Sequence, residues 1–136
     1  MNNPRPPPAP LCYTSRVQDL DQILAYLVNH VDGALSAAVG GMDGLLIEQY
    51  SADERDLTAV AAEQTSLLSF SQAAYSKALE GGDLKEVIVS AGEVVGYTRL
   101  LGDDLFCLVV LSASGNLGKA RLYSDQVSGA IREVLL

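Results

Sequence analysis

Residues Leu84–Ser112 read LKEVIVSAGEVVGYTRLLGDDLFCLVVLS, three apolar runs separated by two short polar turns. The runs LKEVIVSA, VVGYTRLL and LFCLVVLS have strand length and strand composition. Their separators, Gly92-Glu93 and Gly102 to Asp104, are hairpin turns. The last run is apolar without interruption, as a central strand covered on both faces must be. The first alternates imperfectly and begins the series, which places it at a sheet edge.

Upstream, residues 57–80 keep helical periodicity until Gly81-Gly82 ends them. Before that helix, ALSAAVG and LLIEQY flank the turn GMDG and read as another β-hairpin. The first of these two strands is built from small residues on both faces, so other elements pack closely on each side. Val17, Leu20, Ile23, Leu24, Leu27, Val28 and Val31 recur at helical spacing, with Ser15 as cap and Gly33 past the end. Downstream, Leu117, Ala120, Tyr123, Val127, Ile131 and Val134 line one side of a closing helix. The order is α-β-β-α-β-β-β-α, an α+β fold: a five-stranded antiparallel sheet with helices on both faces.

All five prolines fall within the first ten residues. Residues 1–14 are therefore expected to form a disordered leader with PxxP spacings, and residues 15–136 one folded domain. Nine Lys and Arg stand against seventeen Asp and Glu, a net charge of −8. That sign disfavours nucleic acid and anionic lipid as partners. No apolar segment reaches the length of a membrane span, and no secretory leader is visible, so the expected location is cytoplasmic. Cys12 and Cys107 form no disulfide framework and are read as reduced thiols.

Catalytic groups are sparse. The single histidine, His30, sits at a helix end, where a solvated imidazole is the plain reading. No cysteine or histidine spacing fits zinc, and the carboxylates of DERD (Asp53 to Asp56) and of Gly102 to Asp104 lack the alternation of a calcium loop. The stretch Ser112–Asp125, SASGNLGKARLYSD, resembles a phosphate loop only in Gly118-Lys119. A Walker loop needs glycine where Ala113 stands and a hydroxyl where Ala120 stands. It reads instead as a strand-to-helix turn capped by Ser114 or Asn116. No enzyme activity, metal or cofactor is expected.

The helix over 57–80 is more informative. On a helical wheel Leu57, Val60, Ala61, Gln64, Leu67, Leu68, Ser71, Tyr75, Ala78 and Leu79 share the side expected to lie on the sheet. The other side carries Ala59, Ala62, Ser66, Phe70, Ala73 and Lys77. A solvated face is normally rich in charge, yet this helix has only Glu63, Lys77 and Glu80. Small residues around one aromatic point to close approach of a second surface. At the edge strand, Val87, Ile88 and Val89 need protection, which the same strand of a second copy would supply in a two-fold arrangement.

The segments VDGALSAAVGGMDGLLIEQYSAD and ASGNLGKARLYSDQVSGAIREVL, in this element order, resemble the Roadblock/dynein light chain family and within it the bacterial MglB-like regulators. The resemblance implies a roadblock/profilin-like fold and a homodimer joined through the edge strands and the long helices. It also implies a small Ras-like GTPase bound over the helix pair, its hydrolysis stimulated without an inserted arginine. By element position, Ala59, Ala62, Ser66, Phe70, Ala73 and Lys77 become the GTPase face and Val87, Ile88 and Val89 the dimer edge. Two alternatives stand beside it: a small-molecule sensor of PAS or GAF type, and a passive scaffold subunit of a signalling complex.

Overall fold

The apolar run Leu105–Ser112 takes the middle of the sheet. The computed structural model describes residues 16–135, with α1 over Arg16–His30, β1 over Ala34–Gly41, β2 over Leu46–Ser51 and α2 over Thr58–Ser71. The chain continues from α2 through π-helical turns over Gln72–Ala78, then β3 (Glu86–Ser90), β4 (Val94–Leu101), β5 (Leu105–Ser112) and α3 (Leu117–Leu135). The leader, Cys12 and the Ser15 cap lie outside the described residues. Strand order is β2-β1-β5-β4-β3, every neighbour antiparallel.

Strand alternation divides β5 between two cores. Cys107, Val109 and Leu111 join the cluster beneath α1 and α3, while Phe106, Leu108 and Val110 join the cluster beneath α2. β1 does the same with smaller residues: Ala37 and Val39 face α1 and α3, and Ala38 faces α2. Its smallness has a definite use at Gly40, where an added Cβ would come within 2.5 Å of the Phe106 ring. The register slips between Val39 and Gly40, which pair with Glu48 and Leu46, so Ile47 is the extra residue of a bulge.

α1 and α3 close one face together. Leu20, Leu24, Leu27 and Val28 from α1, Val31 just past its end, and Ala120, Ile131 and Val134 from α3 are all buried in the same cluster. Tyr26 and Tyr123 meet edge to face between the two helices, ring centroids 6.0 Å apart, and His30 stacks on Tyr26 while its Nδ1 lies 2.9 Å from the Tyr26 carbonyl. α3 starts at an Asn116 cap, whose Oδ1 accepts the Lys119 N–H at 3.0 Å. The Lys119 amine pairs with Asp32 at 3.3 Å. Gly118-Lys119 thus belongs to a helix start.

Among the described residues α2 alone covers the other face, and here the wheel needs correction. Leu57, Ala61 and Leu68 are buried and Gln64, Leu67 and Ser71 partly so, as expected. Val60, Tyr75, Ala78 and Leu79 are exposed instead, Tyr75 by 59% and Leu79 by 67%. The wheel assumes an even 100° step, whereas the chain beyond Ser71 is π-helical, with Leu79 N–H bonding Ala74 five residues back. The wider turns rotate the side chains away from the sheet. Glu80, at φ 55°, takes the left-handed position at the end, and Gly81 lies so close to the Tyr75 carbonyl that a Cβ would sit 2.6 Å from its oxygen.

Candidate functional site

The start of α2 is fixed from two sides. Gln49 Oε1 on β2 accepts the Leu57 N–H at 2.8 Å, and Asp56 Oδ1 accepts the Thr58 N–H at 3.0 Å and its hydroxyl at 2.7 Å. The Thr58 hydroxyl holds the Asp56 carboxyl below its ordinary pKa. In the same connection the Asp53 carboxyl is lowered first by the Ser51 hydroxyl and then by Arg55. Both DERD aspartates are occupied in shaping the turn.

On the inner side of α2, Gln64 Nε2 donates to Thr98 Oγ1 of β4 at 2.7 Å. Thr98 is fully buried, so this bond satisfies a hydroxyl closed off from the surface. Thr65, one residue on, lies by Gly44 at the β1–β2 turn. Together these contacts orient the helix. The flank carrying Val60, Gln64 and Leu67 faces β4 and β3, and the opposite flank faces the hairpin.

The outer side is open. Ala59, Ala62, Ser66, Phe70, Ala73 and Lys77 are all exposed, Phe70 by 75%. Exposed Val60 belongs to the same uncovered surface on the β3 flank, a residue the wheel assigns to the sheet. A helix with so little separation of apolar from polar sides presents apolar surface in both directions.

Among the described residues β3 lies at the sheet edge, with β4 as its only partner strand. Val87 packs partly against the cluster beneath α2, while Ile88 and Val89 stand 39% and 42% exposed. Alternation separates the three: Val87 and Val89 turn toward the α2 face, and Ile88, opposite Tyr97, toward α3. The structure therefore brings Val89 to the same face as α2 but puts Ile88 on the other.

A polar clamp at β3 escapes sequence reading. Glu86 accepts the buried Tyr97 hydroxyl at 2.6 Å and pairs with Arg121 of α3 at 2.7 Å. Arg121 is the chief reason the Glu86 carboxyl is lowered. Burial, with the Glu86 bond, pushes Tyr97 up to about 12. The available signal is one tyrosine inside an apolar strand and one carboxylate starting another, but nothing in the spacing joins them to a residue of the last helix.

Burial alone raises the Cys107 thiol to about 12, which leaves it protonated in the core. Among the described residues no group of three or more His, Cys, Asp or Glu is placed to hold a metal ion, and no helix is long and apolar enough to cross a membrane.

The Roadblock/LC7 domain family model matches residues 20–112. A Roadblock/LC7 domain from Streptomyces avermitilis is similar, with a TM-score of 0.77 at 21% identity over 85% of this chain and 96% of that one. MglC from Myxococcus xanthus is 31% identical over 82% of this chain and 95% of its own, with a TM-score of 0.59. The gliding protein MglB from Thermus thermophilus gives a TM-score of 0.78 at 18% identity, over 90% of this chain and 92% of its own. No curated protein matches the sequence.

Proposed function

This chain belongs to the Roadblock/LC7 domain family, and we propose that it is a homodimeric docking module for a small Ras-like GTPase, without catalytic groups of its own. The observation that carries this reading is the outer side of α2, where Phe70 stands 75% exposed among alanines and serines. A large aromatic in a small-residue surface is the usual form of a protein-binding anchor. The apolar edge at Ile88 and Val89 supports self-association, since β3 of a second copy would extend the sheet and cover it. A related MglB has been described in a tetrameric arrangement.

In the proposed assembly two α2 helices lie side by side and the GTPase seats across them. Residues 58–80 contain no arginine, so any stimulation of hydrolysis proceeds through the GTPase's own groups. The same absence favours, as a second reading, a scaffold that binds without changing the rate.

The test pairs solution mass with GTPase assays. The purified chain is expected to sediment as a dimer at micromolar concentration, and Val89→Lys to shift it toward monomer. Mixed with a Ras-like GTPase from the same genome, it is expected to bind in one nucleotide state, with Phe70→Ala weakening capture about 10- to 100-fold. A faster hydrolysis rate identifies an activator, and binding without a rate change identifies a scaffold. A strict monomer that binds neither the GTP- nor the GDP-loaded partner would overturn the proposal.

A further inference from the structure

We infer that the cleft between α3 and the β3–β4 edge is a second docking site, taking an acidic peptide segment with an apolar anchor. The cleft encloses about 580 Å³ and is lined by Lys85, Glu86, Arg99, Arg121, Leu122 and Asp125. Three of the chain's nine Lys and Arg meet there against only two of its seventeen Asp and Glu. On a molecule of net charge −8 this is a local reversal of sign.

Two of those cations already have partners. Arg99 pairs with Asp125 and Arg121 with Glu86, each at 2.7 Å, and both pairs fasten α3 to the sheet. Lys85 is different: it is exposed and makes no ion pair among the described residues. Beside Arg121, Leu122 is 53% exposed on a helix whose Ala120, Ile131 and Val134 are buried in the core. The cleft thus offers one uncommitted cation, Lys85, and one exposed apolar side chain, Leu122, complementary to a carboxylate next to an aliphatic residue.

A short acidic stretch of protein can meet this local cation excess alone, whereas a nucleic-acid backbone would carry its phosphates across the surrounding negative surface. Glu86 and Arg99 point to the α3 face, so the site is separate from the α2 surface and remains open when α2 is covered.

The test uses a short fluorescein-labelled peptide of alternating glutamate and leucine, titrated with the full chain and followed by anisotropy. Saturable binding that weakens with added salt is expected, with Lys85→Glu and Leu122→Asp each about five- to tenfold weaker. Phe70→Ala is expected to leave it unchanged, which separates this site from the α2 face. Both substituted side chains are exposed, so the fold should survive them. Amide NMR of the unmodified chain provides a second arm, with shifts expected on β3 and the first turns of α3. No saturable binding, equal binding of a lysine–leucine peptide, or shifts clustered elsewhere would each sink the inference.

Discussion

On one face of the sheet α1 and α3 bury Leu20, Leu24, Leu27 and Ile131 to 2% exposure or less, while on the other face α2 buries only Ala61 and Leu68. The contrast does not come from polarity, since α2 carries fewer charges than either neighbour. It comes from arrangement. α1 and α3 separate apolar from polar sides, so each finishes its own burial within the chain. α2 mixes apolar and small uncharged residues on every side, and one sheet can cover only half of it. In the proposed dimer, the incomplete face of this Roadblock domain is the one that association covers.

Core truncation tests the contrast with the largest effect. Leu27→Ala, in the cluster beneath α1 and α3, is expected to cost about 2–5 kcal/mol of folding stability. Phe70→Ala is expected to stay within about 0.5 kcal/mol, because its ring touches nothing it would leave empty. Urea unfolding at several protein concentrations measures both and separates folding from association. A Phe70→Ala cost in the monomer equal to that of Leu27→Ala would mean that α2 is packed on both sides within one chain.

How far this is legible in the sequence follows from the same division. Unbroken apolarity identifies β5 as the centre, imperfect alternation puts β3 at the edge, and small residues announce the tight packing of β1; all three are local patterns. The outer side of α2 is legible because its low charge departs from a solvated helix, and all six residues assigned to it are exposed. What fails is Val60 in the first turn and, more widely, the second half of that helix. An even helical step turns Tyr75 and Leu79 inward, and π-helical turns do not keep that step. Gln64 can be placed over the sheet, but its partner Thr98 lies 34 residues away and no spacing names it. The Glu86–Arg121 clamp and the cleft beside it are invisible for the same reason, since they depend on where β3 and α3 meet.

Alkaline titration gives a smaller but directional test. Tyr97 and Cys107 both lie in the cluster beneath α1 and α3, whereas the described residues buried in the cluster beneath α2 include no titratable group. Both pKa values are raised in the fold to about 12, from ordinary values of 10.0 for Tyr97 and 9.0 for Cys107. A raised pKa means that the unfolded chain loses its proton first. Stability is therefore intact below the ordinary values and falls as pH rises through them toward about 12. Unfolding midpoints measured across that range should decline, with Cys107→Ala flattening the earlier part and Tyr97→Phe the later. A decline that survives both substitutions would show that Tyr97 and Cys107 do not carry the alkaline limb.

The smallest effect comes from Glu86, which joins the completed face to the uncovered edge. Its carboxyl is lowered, chiefly by Arg121 and then by the Tyr97 hydroxyl, so it favours the fold while ionised. That contribution is present above the ordinary carboxylate range and disappears as pH falls through the lowered value, where the folded chain must also take up the proton. The pair is partly solvated, with side chains 50% and 26% exposed, so its worth is held to about 0–1 kcal/mol. Glu86→Gln should accordingly flatten the acid limb of the stability profile and leave neutral stability almost unchanged. If β3 is the dimer edge, the same substitution loosens the strand that the partner must pair with, and dimer dissociation should respond to acid more than folding does. Equal acid sensitivity of mass and folding in wild type and Glu86→Gln would show that the clamp serves the core alone and leaves the edge to hold itself.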